Sequence, residues 1–183
     1  MSVEDPTLNA RRLGAYLRCP ESEIDSALSK QLLAERPAKR LGEFLLEQAS
    51  VSRTDLLTSI RAQRVDRLSM CPLFHGVTND QLTLLADRFE EVSVRAGDTF
   101  ITQDAEEKYL YVLASGRLEV YLTDEEGRET VLTTVMPGEP IGEMGYFAEG
   151  VRSASVRAAE HSELLRTEYS DLTEGFESSP QLA

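Results

Sequence analysis

One stretch of the sequence carries residue types suited to holding a phosphorylated sugar. Glycines punctuate a turn at residues 138–147, and a glycine lets backbone N–H groups approach an anion with no Cβ in the way. Arg152 follows, and its planar guanidinium can donate paired hydrogen bonds to a phosphate group. Glu143 can accept from a ribose hydroxyl, Ser153 adds a hydroxyl beside the anion, and Ala154 keeps the wall thin. The pattern favours recognition of a phosphorylated ribose and requires no nucleophile or general base.

The residues around this stretch predict a barrel of short strands. From about residue 68, a helix capped by Thr78 is followed by runs rich in Val, Ile, Leu, Thr and Tyr that alternate with Gly-containing turns. Many short strands at close spacing favour an antiparallel barrel or jelly roll. A last helix is predicted over Thr167–Phe176. The predicted strands are Phe89–Val94, Thr99–Gln103, Tyr109–Ala114, Leu118–Thr123, Thr130–Val135 and Ser153–Ala158.

The N-terminal third has a helical pattern and an internal repeat. Residues 12–17 are echoed by residues 40–45, and each copy is predicted to be followed by an amphipathic helix that ends in a glutamine, Gln31 or Gln63. Ser22 and Ser52 precede carboxylates in the way that helix N-termini do. The prediction is an α+β chain, with a small helical domain at residues 1–66 and a β jelly-roll barrel with flanking helices at residues 67–183.

Residues from about 70 to 172 resemble the cyclic nucleotide-binding domain family, and most closely its catabolite activator branch, which also has Ser after the arginine. The resemblance implies that Glu143 binds the ribose 2′-hydroxyl, that Arg152 binds the cyclic phosphate, and that Gly142 and Ala154 supply backbone amides. The ligand is expected to be cAMP rather than cGMP, although Ser153 is compatible with either. The predicted binding residues are Gly142, Glu143, Met144, Arg152, Ser153 and Ala154.

Residues from about 11 to 64 resemble more weakly the N-terminal (MshEN-like) domain of type II secretion and type IV pilus assembly ATPases. In that family two such motifs together can bind cyclic di-GMP, which points to Arg12, Gln31, Arg40 and Gln63 here. The first copy is four residues short, and Ala49 stands where the second copy would have Gly. A helical docking module without a ligand is therefore the favoured alternative.

Charge and composition restrict the function further. The chain has 19 basic and 32 acidic residues; residues 1–66 contain ten of each, so the net charge of −13 lies entirely in residues 67–183. That part is a poor candidate for binding nucleic acid, which needs Lys and Arg on phosphates. We expect a cytoplasmic protein, because Cys19 and Cys71 have no metal-binding spacing and no export signal or membrane span is recognisable.

The favoured function is a sensor or regulatory module that signals to an unidentified protein partner or a downstream domain. The alternatives are a transcription regulator cut before its DNA-binding domain and a cyclic di-GMP-responsive docking protein. The helix expected to contact the base would only begin near Pro180. No metal or cofactor is expected, and formation of a homodimer is left open. An enzyme is disfavoured because neither His75 nor His161 lies in a catalytic or metal-binding pattern.

Overall fold

The computed structural model describes residues 13–33, 41–147 and 150–177. These residues form two compact units, one that ends at Gln63 and one that begins at Arg64. The predicted domain boundary between residues 66 and 67 stays a prediction. Within the described ranges, no helix is both long enough and apolar enough to cross a membrane.

The first unit is helical, as its sequence pattern predicts. It contains a short 3₁₀ helix at Leu13–Ala15, helix α1 at Glu21–Leu33, helix α2 at Leu41–Glu47 and the first part of helix α3, which runs over Arg53–Ser69. Its buried apolar side chains are Leu17, Ala27, Leu45, Val51 and Leu56. These helices bury one apolar stripe each, which is how a small helical unit obtains a core.

Two details of the predicted N-terminal repeat are wrong. Ser22 lies inside α1, which begins one residue earlier at Glu21, whereas the backbone N–H of Asp55 does donate to Ser52 Oγ at the start of α3 (3.0 Å). The segment after the second copy does not end at Gln63, because α3 continues to Ser69. The two copies also differ in conformation: the first begins with a 3₁₀ turn and the second with an α-helix.

The helices of the second unit flank its strands. A 3₁₀ helix at Pro72–Phe74 follows α3, and helix α4 spans Asn79–Ala86. Thr78 caps α4 as predicted: its hydroxyl accepts from the Gln81 backbone N–H, and the Gln81 side chain accepts from the Thr78 backbone N–H. Such a reciprocal pair satisfies two backbone donors that the first helical turn leaves without partners. Helices α5 and α6 span Glu143–Phe147 and Tyr169–Glu177.

The residues that the structure describes contain eight strands: β1 Glu90–Val94, β2 Thr99–Ile101, β3 Tyr109–Ser115, β4 Leu118–Thr123, β5 Glu129–Val135, β6 Pro140–Ile141, β7 Ser155–Ala158 and β8 Ser162–Glu168. They form two antiparallel four-stranded sheets, in the orders β1-β8-β3-β6 and β2-β7-β4-β5. This arrangement confirms the predicted α+β jelly-roll fold. Most strand pairs join segments far apart in sequence, so the turns alone do not define the sheets.

Strand β8 is absent from the sequence-based prediction. It lies between β1 and β3, and its adjacent residues Leu164 and Leu165 are both fully buried. Because β8 is buried on both faces at its centre, apolar and polar residues do not alternate there, and a period of two cannot reveal the strand. Thr167 belongs to this strand, and the predicted final helix therefore begins only at Tyr169.

Strands β3 and β8 separate two parts of the core. Leu110, Val112 and Leu165 pack with side chains of α4 and α6, whereas Tyr111 and Leu164 pack between the sheets. Successive strand residues point to opposite faces, which explains why the buried run over 110–114 is apolar throughout. The central strands of sheet β1-β8-β3-β6 are thus covered on both sides, and the segment that begins at Gly142 follows directly from its edge strand β6.

Candidate functional site

The turn after β6 requires glycine at Gly142. Its φ is +89°, and an added Cβ would overlap Arg152 Nη1 and lie 2.9 Å from the Tyr109 carbonyl oxygen. Helix α5 begins immediately afterwards, with Glu143 half-buried and Met144 65% exposed. A left-handed residue that also meets a neighbouring side chain must lack a side chain of its own. The glycine thus fixes the path of the chain from β6 into α5, against the arginine.

Arg152 is a buried cation with three acceptors. The residue is 3% exposed, and Nη2 donates to the Tyr109 carbonyl at 2.7 Å and to Glu107 Oε2 at 3.3 Å. Nη1 donates to the Tyr169 hydroxyl at 3.1 Å. The guanidinium also lies 5.9 Å from the centre of the Tyr111 ring. Nε is buried and has no hydrogen-bond partner among the described residues.

Backbone hydrogen bonds hold the segment of Arg152 against residues 104–107. The Arg152 N–H donates to the Ala105 carbonyl at 3.0 Å, and the Arg152 carbonyl accepts from the Asp104 N–H at 2.8 Å. The Glu107 N–H donates to the Gly150 carbonyl at 3.0 Å. The guanidinium is therefore positioned by main-chain pairing on one side and by β3 on the other.

Tyr169 connects the first turn of α6 to the glycine turn. Its hydroxyl donates to the Gly142 carbonyl at 2.5 Å and accepts from Arg152. A Cβ on Gly145 would lie 2.6 Å from that oxygen, so α5 also needs a glycine where the tyrosine approaches. Burial raises the pKa of Tyr169, and the nearby Arg152 charge opposes that rise. The hydroxyl stays protonated at neutral pH and can donate.

The other predicted binding residues surround this arrangement. Ser153 and Ala154 follow Arg152 and precede β7, which begins at Ser155 and not at Ser153 as predicted. Ser153 is exposed and Ala154 half-buried. The structure thus brings Gly142 against Arg152. Glu143 and Met144 directly follow Gly142 in the chain, and Ser153 and Ala154 directly follow Arg152. Their roles toward a ligand stay predictions.

The predicted cyclic di-GMP residues are mostly outside what the structure describes. Arg12 and Arg40 lie outside the described residues, and Gln31 is in α1 but its side chain is not described. Gln63 is 7% exposed. Its burial favours a packing role for this side chain. Pro180, where a further helix is predicted, also lies outside the described residues.

Sequence reasoning missed the groups that hold the arginine. Glu107 and Tyr169 contact it from 45 and 17 residues away along the chain. The Tyr109 carbonyl leaves no trace in residue identity, because every residue has one. Finding these groups would have required knowing that β3 pairs with β6 and that residues 104–107 pair with residues 150–152.

A polar cleft of about 240 Å³ lies elsewhere in the second unit, lined by the segment after α4 and by residues of β1, β3, β8 and α6. Both of its arginines have carboxylate partners: Arg166 pairs with Glu90, and Arg88 pairs with Glu174 at 3.3 Å. The cleft is therefore a weaker candidate for binding an anion than the region of Arg152, where the buried Nε–H has no described partner. Across residues 13–33, 41–147 and 150–177, no group of three His, Cys, Asp or Glu side chains is placed to hold a metal ion.

Comparison with known proteins places this geometry in a family. Residues 91–179 match the family model for the cyclic nucleotide-binding domain. The Cyclic AMP receptor protein of Thermus thermophilus is 37% identical over 94 residues, which cover 51% of this chain and 44% of that protein. The chain thus spans less than half the length of this curated relative.

Solved structures agree in fold. The N-terminal domain of a transcriptional regulator from Streptomyces coelicolor superposes with a TM-score of 0.59 at 32% identity, over 64% of this chain and 82% of that one. The catabolite activator protein of Thermus thermophilus superposes with a TM-score of 0.56 at 33% identity, over 61% and 52% of the two chains. The similarity to the ATPase N-terminal domain expected for residues 11–64 is not shown. The second unit of this chain belongs to the cyclic nucleotide-binding domain family.

Proposed function

We propose that the second unit binds a cyclic mononucleotide, cAMP in preference to cGMP, and works as a sensor or regulatory module. Arg152 binds the cyclic phosphate, Glu143 accepts from the ribose 2′-hydroxyl, and the backbone amides at Gly142 and Ala154 face the phosphate. Met144 and Ser153 contribute at the edge of the pocket. Occupancy is signalled to a protein partner or to a further domain.

The observation that carries the proposal is the state of Arg152. A cation that is 3% exposed costs free energy unless its donors are satisfied, and here Nε has no described partner. A phosphate group offers acceptors to such a donor in the planar geometry that a guanidinium favours. The arginine adjoins a glycine turn that leads into a carboxylate suited to a sugar hydroxyl. The residues present therefore fit a phosphorylated ribose.

The choice of cAMP rests on relatives. The Thermus relative is by name a cyclic AMP receptor protein. Ser153 is compatible with either nucleotide and does not contribute to this choice. The base itself would be read by residues that the predicted later helix supplies. Binding of cGMP is the outcome that would revise this choice.

The names of related proteins support the regulatory role. Several relatives are transcriptional regulators by name, and one superposing structure is the N-terminal domain of a transcriptional regulator. A place in a longer transcription regulator is therefore the second candidate function. Several expectations stay predictions: that the chain is not an enzyme, that it is cytoplasmic and that it does not bind nucleic acid. Formation of a homodimer stays open. A cyclic di-GMP-responsive role of the N-terminal unit also stays a prediction.

Isothermal titration calorimetry on the full chain tests the proposal, with cAMP, cGMP and cyclic di-GMP titrated in parallel. Arg152→Ala should weaken cAMP binding by about 2–4 kcal/mol, or roughly 30- to 1000-fold, because a charge-assisted hydrogen-bond pair is lost. Arg152→Lys keeps the charge but loses the planar fork, so a loss of at least about tenfold is expected.

The matched control is Arg128→Ala, which removes an arginine that is 75% exposed in its side chain and pairs with Asp124 and Glu126. It should bind cAMP like the wild type. Circular dichroism confirms that each variant is folded. Equal cAMP affinity of a folded Arg152→Lys variant and the wild type would refute the assignment of the site. No binding of either mononucleotide by the wild type would refute the function.

A further inference from the structure

The buried arginine already has an anion beside it. Glu107 Oε2 lies 3.3 Å from Arg152 Nη2, and the two side chains are 25% and 4% exposed. The carboxylate is thus at the border between solvent and the buried guanidinium. It accepts a hydrogen bond from Nη2, a donor that a bound phosphate group could otherwise use.

The backbone of Glu107 is fixed, whereas its carboxylate is partly in solvent. Its N–H donates to the Gly150 carbonyl at 3.0 Å, and Glu106 forms a β-bridge with Val151. These bonds hold residue 107 opposite the segment that leads into Arg152. A partly exposed carboxylate at the end of a glutamate side chain can turn toward water without disturbing that pairing.

Arg152 does not depend on Glu107 for its position. The shortest contact of Nη2 is with the Tyr109 carbonyl, at 2.7 Å, and Nη1 is held by the Tyr169 hydroxyl. Both acceptors are neutral, and both belong to elements packed in the core. The contribution of Glu107 is therefore mainly its negative charge.

A negative charge beside the guanidinium opposes a second one. Two anions that share one cation repel each other, so a bound phosphate must displace the carboxylate or tolerate it at a cost in affinity. We propose that Glu107 is a counter-anion that competes with the cyclic phosphate for Arg152 and keeps the affinity of the pocket low. This inference rests on the proposed function. It makes Glu107 an affinity-setting residue, through which the unit responds to a higher range of nucleotide concentration.

Glu107→Gln tests the inference, because it removes the charge and keeps the size and an acceptor oxygen. A partly exposed ion pair shifts an equilibrium by a few-fold, so cAMP binding measured by calorimetry should become about three- to tenfold tighter. The unliganded variant should melt roughly 2–5 °C lower, because Arg152 loses a charged partner. A merely structural role would lower the melting temperature and weaken binding together.

Glu106→Gln is the matched control, since it removes the same charge from the adjacent, exposed position. Its cAMP affinity should stay within twofold of the wild type. Glu107→Asp is the second variant: it keeps the charge but withdraws it by one methylene, so binding should be tighter than in the wild type but weaker than in Glu107→Gln. If Glu107→Gln does not fold, Glu107→Asp decides the question.

The outcomes separate the two proposals. Absence of cAMP and cGMP binding by the wild type overturns the proposed function, and this inference falls with it. Binding by the wild type with unchanged or weaker binding by the folded Glu107 variants overturns only the inference. Equal tightening by Glu106→Gln and Glu107→Gln also overturns it, because a general charge effect would then suffice.

Discussion

Replacing Gly142 by alanine probes the turn that places the binding segment against the arginine. An alanine at φ +89° costs about 1–2 kcal/mol, because its Cβ approaches the following carbonyl oxygen. The new Cβ would also overlap Arg152 Nη1 and lie 2.9 Å from the Tyr109 carbonyl, which belongs to a buried strand. Displacing the guanidinium breaks contacts of a buried cation, for about 2 kcal/mol more. We therefore expect a loss of roughly 3–4 kcal/mol in the free energy of unfolding.

Gly97→Ala is the control that isolates the second contribution. Gly97 has nearly the same φ, +87°, but a Cβ there would meet no atom within 4 Å. Urea denaturation of both variants should give a loss of about 1–2 kcal/mol for Gly97→Ala and a loss about 2 kcal/mol larger for Gly142→Ala. Calorimetry with cAMP should show weakened binding only for Gly142→Ala. Equal losses of stability in the two variants would refute the packing argument, since only backbone strain would then matter.

Two further predictions concern a ligand contact and a buried thiol. Glu143→Gln removes a charge-assisted acceptor, so it should weaken cAMP by about 1–2 kcal/mol in calorimetry. Binding of 2′-deoxy cAMP should be unchanged, and equal weakening of both ligands would show that Glu143 does not contact the 2′-hydroxyl. Burial raises the pKa of Cys71 to about 11 and leaves the side chain fully covered. A thiol reagent at pH 8 should therefore label half-buried Cys19 in the native protein and both cysteines only in denaturant, because the thiolate is the reactive form. Comparable native labelling rates would contradict this account.

The fold was largely predictable, because its turns, most of its strands and one helix cap follow from residues that are close together in the sequence. Turns that contain glycine separate the runs rich in β-branched residues, and the reciprocal cap of Thr78 and Gln81 follows from residue type and spacing. Strands β6 and β8 escaped prediction, and β8 is buried on both faces at its centre and lies between strands from distant parts of the chain. The burial of β8 depends on the neighbouring strands β1 and β3 and on the helices that cover the sheet. The sequence of β8 itself has no apolar–polar alternation from which that burial could be predicted.

The candidate site divides in the same way. The amino-acid order alone determined the glycine turn, Glu143 and Arg152, since these residues are close in sequence and their chemistry follows from their type. Only the tertiary structure decided that the guanidinium of Arg152 is buried and bonded to the Tyr109 carbonyl, Glu107 and Tyr169. Those contacts depend on which strands pair and in which register, and that choice is made by packing of the whole core.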